Sequence, residues 1–175
     1  MIIGLDVDCP IANIHPAWLN AYNEKYGDNL CVEDITTWNM HEIVKLECGK
    51  NIYNLLTPAV YKATTPTVGA LDGVKQLREL GHKLVFITTP TRLTMGVKYD
   101  WLKEYGFLES DKEYVEAFDK SIFAIDILVD DYIENLRSFR GNGILYNAPW
   151  NKSIEYSIRF GDWNNLIRWI KYRYG

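Results

Sequence analysis

The chain has 175 residues, of which 47% are hydrophobic and 24% are charged, and its formal net charge is −4. This balance is typical of a folded globular protein and excludes a disordered chain. The acidic net charge gives no electrostatic basis for a stable complex with nucleic acid. No apolar run approaches the roughly 20 residues that a membrane-spanning helix needs, and no charged leader opens the chain, so we expect neither a membrane protein nor a secreted one.

The cysteines are few and scattered. Cys9, Cys31 and Cys48 are odd in number and form no CxxC pair. This spacing argues against a zinc site and against a disulfide framework, and it favours a reducing compartment. We therefore expect a cytoplasmic protein.

Short apolar runs separated by helical patterns predict the core of the fold. In chain order the predicted strands are residues 1–8, 83–89, Ile122–Val129 and Gly143–Tyr146. Continuous apolar strands of this length indicate a parallel sheet covered on both faces, which is an α/β architecture.

The helices have apolar stripes and end signals. One stripe ends at Gly81, a second ends at Gly106, and Asp162 is placed to cap the last helix. The apolar positions are Leu71, Val74, Leu77 and Leu80 in the first, Tyr99, Leu102 and Tyr105 in the second, and Trp163, Leu166, Ile167 and Ile170 in the last.

The segment between the first two strands is longer than one crossover helix requires. It has helical patches at Ala17–Tyr26 and Glu42–Leu56 and no convincing strand. We predict a core made of residues 1–13 and 66–175, with residues 14–65 inserted as a small helical cap beside the acidic end of the first strand.

Acidic and hydroxyl side chains close the predicted strands. Asp6 and Asp8 follow the first strand, Thr88-Thr89 follow the second, and Asp130-Asp131 follow the third, with Lys120 between the last two groups. In a parallel sheet these positions converge on one crevice at the carboxyl ends of the strands. Carboxylates gathered there need a cation, and oxygen ligands favour Mg²⁺.

This set suits phosphoryl transfer. Thr88 and Thr89 offer hydroxyls and backbone amides to phosphate oxygens, and Lys120 offers a positive charge. A carboxylate nucleophile at Asp6 and a second carboxyl at Asp8 for proton transfer complete a two-step apparatus. Each residue alone has a structural explanation, for instance Asp130-Asp131 as the cap of a helix near Ile133. The joint occurrence at strand ends favours function.

The order of these motifs carries a resemblance. Phosphoacceptor receiver domains place the paired acids first, whereas here the order is DxD, Thr, Lys, DD, which resembles the haloacid dehalogenase-like phosphohydrolase superfamily. The flanking segments resemble the 5′(3′)-deoxyribonucleotidase family more closely. They are Asp6-Val7-Asp8-Cys9-Pro10-Ile11-Ala12-Asn13, Pro66–Ala70, Phe86–Pro90, Lys98 with Trp101, Asp119-Lys120, Ile127–Asp131 and Leu145–Asn151.

The resemblance implies a Rossmann-like three-layer core with a helical cap and a Mg²⁺-dependent 5′-nucleotidase that acts on (deoxy)ribonucleoside monophosphates through an aspartyl-phosphate. It implies Asp6 as nucleophile and Asp8 as acid/base. The metal would lie on Asp6, Asp130 and the Asp8 carbonyl, and the phosphate on Thr88, Thr89 and Lys120. Cys9 and Pro10 depart from the family, which usually has Gly-Val there.

Specificity has to come from outside the phosphate site. Trp18 and Trp38 in the predicted cap and Arg92 beyond the second strand are the candidate pocket residues. The expected ligand is a small nucleotide, and a homodimer is one expected oligomeric state. Two alternatives stay open: a phosphatase for another small phosphoester, such as a sugar phosphate or a polynucleotide end, and a non-catalytic nucleotide-binding protein.

Overall fold

A parallel six-stranded sheet organises the molecule. The computed structural model describes residues 1–175, and the strand order is β5-β4-β1-β6-β7-β8 with every neighbouring pair parallel. The α/β prediction is confirmed. The strands are β1 (Ile2–Leu5), β4 (Lys83–Thr88), β5 (Tyr114–Glu116), β6 (Ile127–Asp130), β7 (Asn142–Tyr146) and β8 (Arg159–Phe160), and a separate antiparallel pair joins β2 (Ala12–Asn13) to β3 (Thr65–Pro66).

Helices cover both faces of this sheet. They are α1 (Ile14–Tyr26), α2 (Pro58–Lys62), α3 (Ala70–Glu79), α4 (Val97–Glu104), α5 (Ile133–Ser138) and α6 (Trp163–Tyr174). Successive side chains of a strand point to opposite faces. Ile127 and Val129 accordingly join the main core with α3 and α6, whereas Leu128 packs with Leu136 of α5. None of the helices is both long and apolar enough to cross a membrane.

The buried stripe of α3 differs from the prediction. Leu71 is exposed, and the buried positions are Ala70, Gly73, Val74 and Leu77. The reason is the close approach of α6: a Cβ added at Gly73 would lie 2.2 Å from the Trp163 ring. The helix therefore turns its glycine, and not Leu71, toward its neighbour.

Two predicted elements have other boundaries. Glu42–Leu56 is not one α-helix but forms 3₁₀ segments at Met40–Glu42 and Gly49–Leu55, because Gly49 adopts φ 45°, which a continuous helix does not allow. The third strand begins at Ile127, since Lys120–Ile122 form a 3₁₀ turn capped by the Asp119 side chain. The edge strands β5 and β8 are too short to have been predicted.

The segment between β1 and β4 contains α1, the 3₁₀ segments and α2. Trp18 of α1 ties it together by donating its indole N–H to the carbonyl of Ile52 (2.9 Å). We refer to residues 14–65 as the cap segment. The division into a cap of residues 14–65 and a core of residues 1–13 and 66–175 stays a prediction.

Candidate active site

Strand register brings the two central acids together. Asp6 directly follows β1, and Asp130 ends β6, the strand paired with β1 through Leu5 and Val129. The Asp6 amide donates to the Val129 carbonyl (2.9 Å), so this backbone hydrogen bond fixes the position of Asp6 beside β6. Residues far apart in sequence thus become neighbours at the carboxyl edge of the sheet, as the sequence predicts.

Lys120 lies between these two carboxylates. Its Nζ is 2.5 Å from Oδ1 of Asp6 and 2.7 Å from Oδ2 of Asp130, and the side chain is buried. Burial alone would lower the pKa of Lys120, but Asp6 and Asp130 outweigh it and the net shift is upward. The lysine is therefore a fixed positive charge in the floor of the site.

Three buried carboxyl groups form a candidate metal centre. Oxygens of Asp6, Asp130 and Asp131 lie within 4.8 Å of one another. Burial raises the pKa of Asp6 to about 7, against the lowering effect of Lys120, and raises the pKa of Asp131 well above its usual range. Oδ1 of Asp131 is buried without a hydrogen-bond partner. These groups have the oxygen chemistry that a hard divalent cation requires.

Asp8 points to different partners. Its Oδ2 accepts a hydrogen bond from Nζ of Lys98 (2.6 Å), and its Oδ1 accepts one from the hydroxyl of Tyr61. The Asp8 side chain is 35% exposed and stays outside the three-carboxyl cluster. Its predicted metal contact through the backbone carbonyl stays a prediction.

The two threonines after β4 take separate positions. Thr88 is fully buried, and its hydroxyl accepts a hydrogen bond from Lys98 (2.7 Å), whereas Thr89 is exposed and lines the cavity. Lys98 also donates to the Thr89 carbonyl (3.1 Å). Lys98 is thus a site residue that the sequence reasoning treated only as part of a Lys-x-x-Trp element. Its position one turn before the buried Trp101 was the available signal.

The backbone at Cys9 shows why the family usually has glycine at this position. Cys9 has φ 79°, the left-handed region in which glycine is normally found, and it is the one non-glycine residue with positive φ. The Thr67 hydroxyl donates to its carbonyl (2.7 Å). Burial and the nearby acids, Asp131 first, raise the pKa of the Cys9 thiol well above its usual range, which argues against a nucleophilic thiolate.

A cavity of about 220 Å³ opens above these residues. Its polar end is formed by Asp6, Asp8, Thr89, Lys98, Lys120, Asp130 and Asp131. Its other end is mainly apolar and comes largely from the cap segment, with Ile14, Trp18, Ile35, Met40 and Leu56 joined by Trp150 of the core. Of the three candidate pocket residues, Trp18 and Trp38 line the cavity, whereas Arg92 is exposed and does not line it; a role for any of them in binding substrate stays a prediction.

Aromatic rings connect the cap segment to the core around the cavity. Trp38 stacks on Tyr132 (centroids 4.2 Å apart) and lies 6.0 Å from Trp150, which in turn lies 4.4 Å from His15. Burial lowers the pKa of His15 to about 4, so its ring is neutral near pH 7. The sequence does not point to His15, which has no motif around it, or single out Trp150 within the Leu145–Asn151 segment.

The fold is the one shared by solved hydrolases of the haloacid dehalogenase-like class. A solved HAD family hydrolase from Deinococcus radiodurans R1, with bound phosphate and sodium, has a TM-score of 0.63 at 13% identity, covering 97% of this chain and 95% of that one. The HAD-hydrolase YfnB from Bacillus subtilis, described as bound to magnesium, has a TM-score of 0.66 at 13% identity, with 97% and 98% covered. At these identities the likeness shows the fold.

Sequence comparison gives the family. Residues 1–173 match the model of the family described as 5′ nucleotidase, deoxy (Pyrimidine), cytosolic type C protein, and the chain belongs to it. A 5′(3′)-deoxyribonucleotidase of Clostridium acetobutylicum is 32% identical over 162 residues, covering 92% of this chain and 89% of that protein. One of Bacillus subtilis is 29% identical, with 95% and 96% covered. The chain is a nucleotide phosphomonoester hydrolase, which confirms the predicted enzyme class.

Proposed function

We propose that this chain hydrolyses (deoxy)ribonucleoside 5′-monophosphates to nucleoside and phosphate, with Asp6 as nucleophile, Asp8 as acid/base and Mg²⁺ as cofactor. One observation carries the proposal: Asp6 lies among the charged groups of a cavity whose remaining lining is mainly apolar and aromatic. A phosphate fits the charged end and a nucleoside fits the other. The shared names of the relatives support the same substrate class.

The charges at the polar end support a divalent cation. Four carboxyl groups and two ammonium groups line it, which leaves two excess negative charges when all six are ionised. Asp6, Asp130 and the Asp8 carbonyl would hold the ion, and the unpartnered Oδ1 of Asp131 is a further candidate ligand. Bound Mg²⁺ would keep Asp6 ionised despite burial and offset the charge of the phosphate.

Asp6 and Asp8 divide the reaction between them. The Asp6 carboxylate forms a bond to phosphorus while the bond from phosphorus to the nucleoside oxygen breaks, and Asp8 gives that oxygen a proton. Asp8 then takes a proton from a water molecule, which attacks phosphorus and releases phosphate from Asp6. The product pair is a nucleoside and inorganic phosphate.

The lysines and threonines hold the phosphoryl group. Lys120 contacts Asp6 and Lys98 contacts Asp8, so both ammonium groups lie beside reacting carboxyls. We propose that Lys120, Lys98 and Thr89 face the phosphate. Thr88 would act with them through its contact to Lys98, since its hydroxyl is already engaged there.

A panel of phosphate esters tests the substrate. Phosphate release is measured with Mg²⁺ from nucleoside 5′- and 3′-monophosphates in deoxy and ribo forms, a sugar phosphate, and an oligonucleotide carrying a terminal phosphate. We expect the highest kcat/KM with a nucleoside monophosphate and loss of activity in Asp6→Asn. Equal rates across the panel would favour a broader phosphatase, and an Asp6→Asn variant as active as the parent would refute the aspartyl-phosphate.

Two further expectations accompany the proposed function. We propose a cytoplasmic location, which agrees with three unpaired cysteines. The homodimer stays a prediction, and sedimentation velocity of the purified chain would measure it.

A further inference from the structure

We propose that Tyr61 is a positioning residue for Asp8: its hydroxyl, presented by the cap segment, fixes one oxygen of the acid so that the other faces the leaving group. The inference rests on the proposed function, because it assigns Tyr61 a part only if Asp8 transfers the proton. It adds a cap residue to a reaction otherwise carried by the core.

The contact itself is the first observation. Tyr61 lies on α2 at 1% exposure and lines the cavity, and its hydroxyl donates to Oδ1 of Asp8, its one hydrogen-bond partner. A buried tyrosine hydroxyl needs a partner, and a backbone carbonyl is enough for that purpose. Here the partner is the side chain assigned to proton transfer.

The second partner of Asp8 comes from α4. Lys98 of α4 donates to Oδ2 of Asp8, and its Nζ lies 5.8 Å from the centroid of the Tyr61 ring. One oxygen of the acid is thus held by the cap segment and the other by the core. Neither oxygen can turn without breaking one of the two contacts.

The helix that carries Tyr61 is anchored to the helix that carries Lys98. Just after α2, the Thr64 carbonyl accepts hydrogen bonds from the indole of Trp101 (3.1 Å) and from the hydroxyl of Tyr105 (3.3 Å). The Thr64 hydroxyl donates back to the Val60 carbonyl (2.9 Å), which closes the end of α2. The two partners of Asp8 are therefore held in one rigid frame.

Substrate binding gives Lys98 and Tyr61, the two partners of Asp8, different roles. An arriving phosphate gives Lys98 a second anion, which frees Oδ2 of Asp8 to take up a proton from solvent and to carry it toward the leaving oxygen. That proton passes to the nucleoside oxygen as the phosphorus–oxygen bond breaks, and Asp8 becomes a carboxylate. Tyr61 keeps its own proton throughout and donates to Oδ1 before and after the transfer.

The leaving group supplies the test, since only a poor one needs the acid. A nucleoside leaves as an alkoxide and requires a proton, whereas p-nitrophenolate leaves without one. The first step is isolated by the single-turnover rate at which the leaving group is released, because the later hydrolysis of the aspartyl-phosphate is common to both substrates. In Tyr61→Phe we expect this rate to fall about tenfold for a nucleoside 5′-monophosphate, with a much smaller change in KM, and to change less than about twofold for p-nitrophenyl phosphate. The retained activity on p-nitrophenyl phosphate also shows that the variant is folded.

A matched control comes from the same segment. Tyr22 is fully buried, and its hydroxyl also donates to a carboxylate, Asp28 (2.5 Å), away from the cavity. Tyr22→Phe should change the two substrates to the same extent. If Tyr61→Phe does likewise, or leaves the nucleotide rate intact, the positioning role is wrong.

Asp8→Asn distinguishes this inference from the proposed function. It should show the same leaving-group discrimination as Tyr61→Phe, more strongly, and adding Tyr61→Phe to it should have no further effect. If Asp8→Asn slows the nucleotide more than p-nitrophenyl phosphate and Tyr61→Phe does not, the positioning role of Tyr61 is wrong and the acid role of Asp8 stands. If Asp8→Asn slows both substrates equally, the acid role of Asp8 is wrong, and the positioning role of Tyr61 is wrong with it.

Discussion

Nζ of Lys120 lies 2.5 Å from Oδ1 of Asp6, although 114 positions separate the two residues in the sequence. Their contact, together with the 2.7 Å contact to Asp130, places a buried positive charge among three buried acids. Removing one member of such a group leaves the others uncompensated, which costs far more than the loss of an exposed ion pair. We therefore expect the stability of the chain and the proposed reaction to depend on the same contact.

Lys120→Met should destabilise the protein strongly when no metal is added. The free energy of unfolding should fall by about 3 kcal/mol, because Asp6 and Asp130 lose their counter-ion. Urea titration with and without Mg²⁺ measures this, and Mg²⁺ should stabilise the variant more than the parent. The exposed Lys62→Met is the control, expected within about 0.5 kcal/mol of the parent. A Lys120→Met variant as stable as Lys62→Met would show that the contact is not a stabilising one.

Removal of divalent cations should abolish hydrolysis, and Asp131→Asn should lower the affinity of the site for Mg²⁺. The buried, unpartnered Oδ1 of Asp131 is the reason, since an amide cannot supply the same charge. We expect the Mg²⁺ concentration for half-maximal activity to rise about 10-fold or more. The measurement is a Mg²⁺ titration of phosphate release after chelation. An unchanged midpoint would remove Asp131 from the candidate ligands.

Substitutions at Cys9 should reveal the backbone strain at this position. Cys9→Gly and Cys9→Ala both remove the thiol, but only the glycine variant relieves the positive φ. We expect the glycine variant to be more stable than the alanine variant by about 1 kcal/mol, measured by urea unfolding. The reverse order would mean that the strain at this position is smaller than the extra conformational entropy that glycine gives the unfolded chain.

Trp38→Ala should raise KM for nucleotides and spare small substrates. Trp38 lines the cavity and is 46% exposed, so one of its surfaces is available to a base or sugar. Loss of an aromatic contact worth about 1 kcal/mol gives roughly a fivefold rise in KM for a nucleoside monophosphate. KM for glycerol phosphate should not change. Tyr172→Ala, at a 90% exposed ring outside the cavity, is the control, and equal effects on both substrates would assign Trp38 to packing.

His15 should make stability depend on pH between 4 and 6.5. Its pKa is lowered to about 4 in the folded chain, so in this window the unfolded state binds more protons and stability falls as pH falls. From pH 7 to pH 5 the parent should lose about 1–2 kcal/mol more than His15→Gln, allowing for partial exposure of the ring. Urea titrations at the two pH values give the difference. His82, buried elsewhere, contributes equally in both proteins and cancels. Equal losses would show that His15 is not held neutral.

The hydrophobic pattern of the sequence is enough to predict the sheet and the acidic residues at the ends of its strands. Apolar runs ending in Asp6, Thr88 and Asp130 predict parallel strands because local hydrophobicity and strand polarity are readable without tertiary contacts. The last helix, with Asp162 as its cap, was predicted correctly for the same local reason. The exposure of Leu71 is not predicted by the sequence, because which side of α3 is buried depends on where Trp163 of α6 lies.

The sequence by itself determined the fold class, the placement of the candidate acids at strand ends and the family, since these follow from periodicity and from motifs at strand ends. Only the tertiary structure decided which partners those acids have: Lys120 between Asp6 and Asp130, and Lys98 with Tyr61 on Asp8. The physical reason is that such contacts join residues from separate elements, and their geometry is set by how strands, helices and the cap segment pack. The sequence specifies the chemical groups, and the packing of the elements determines which of these groups are in contact.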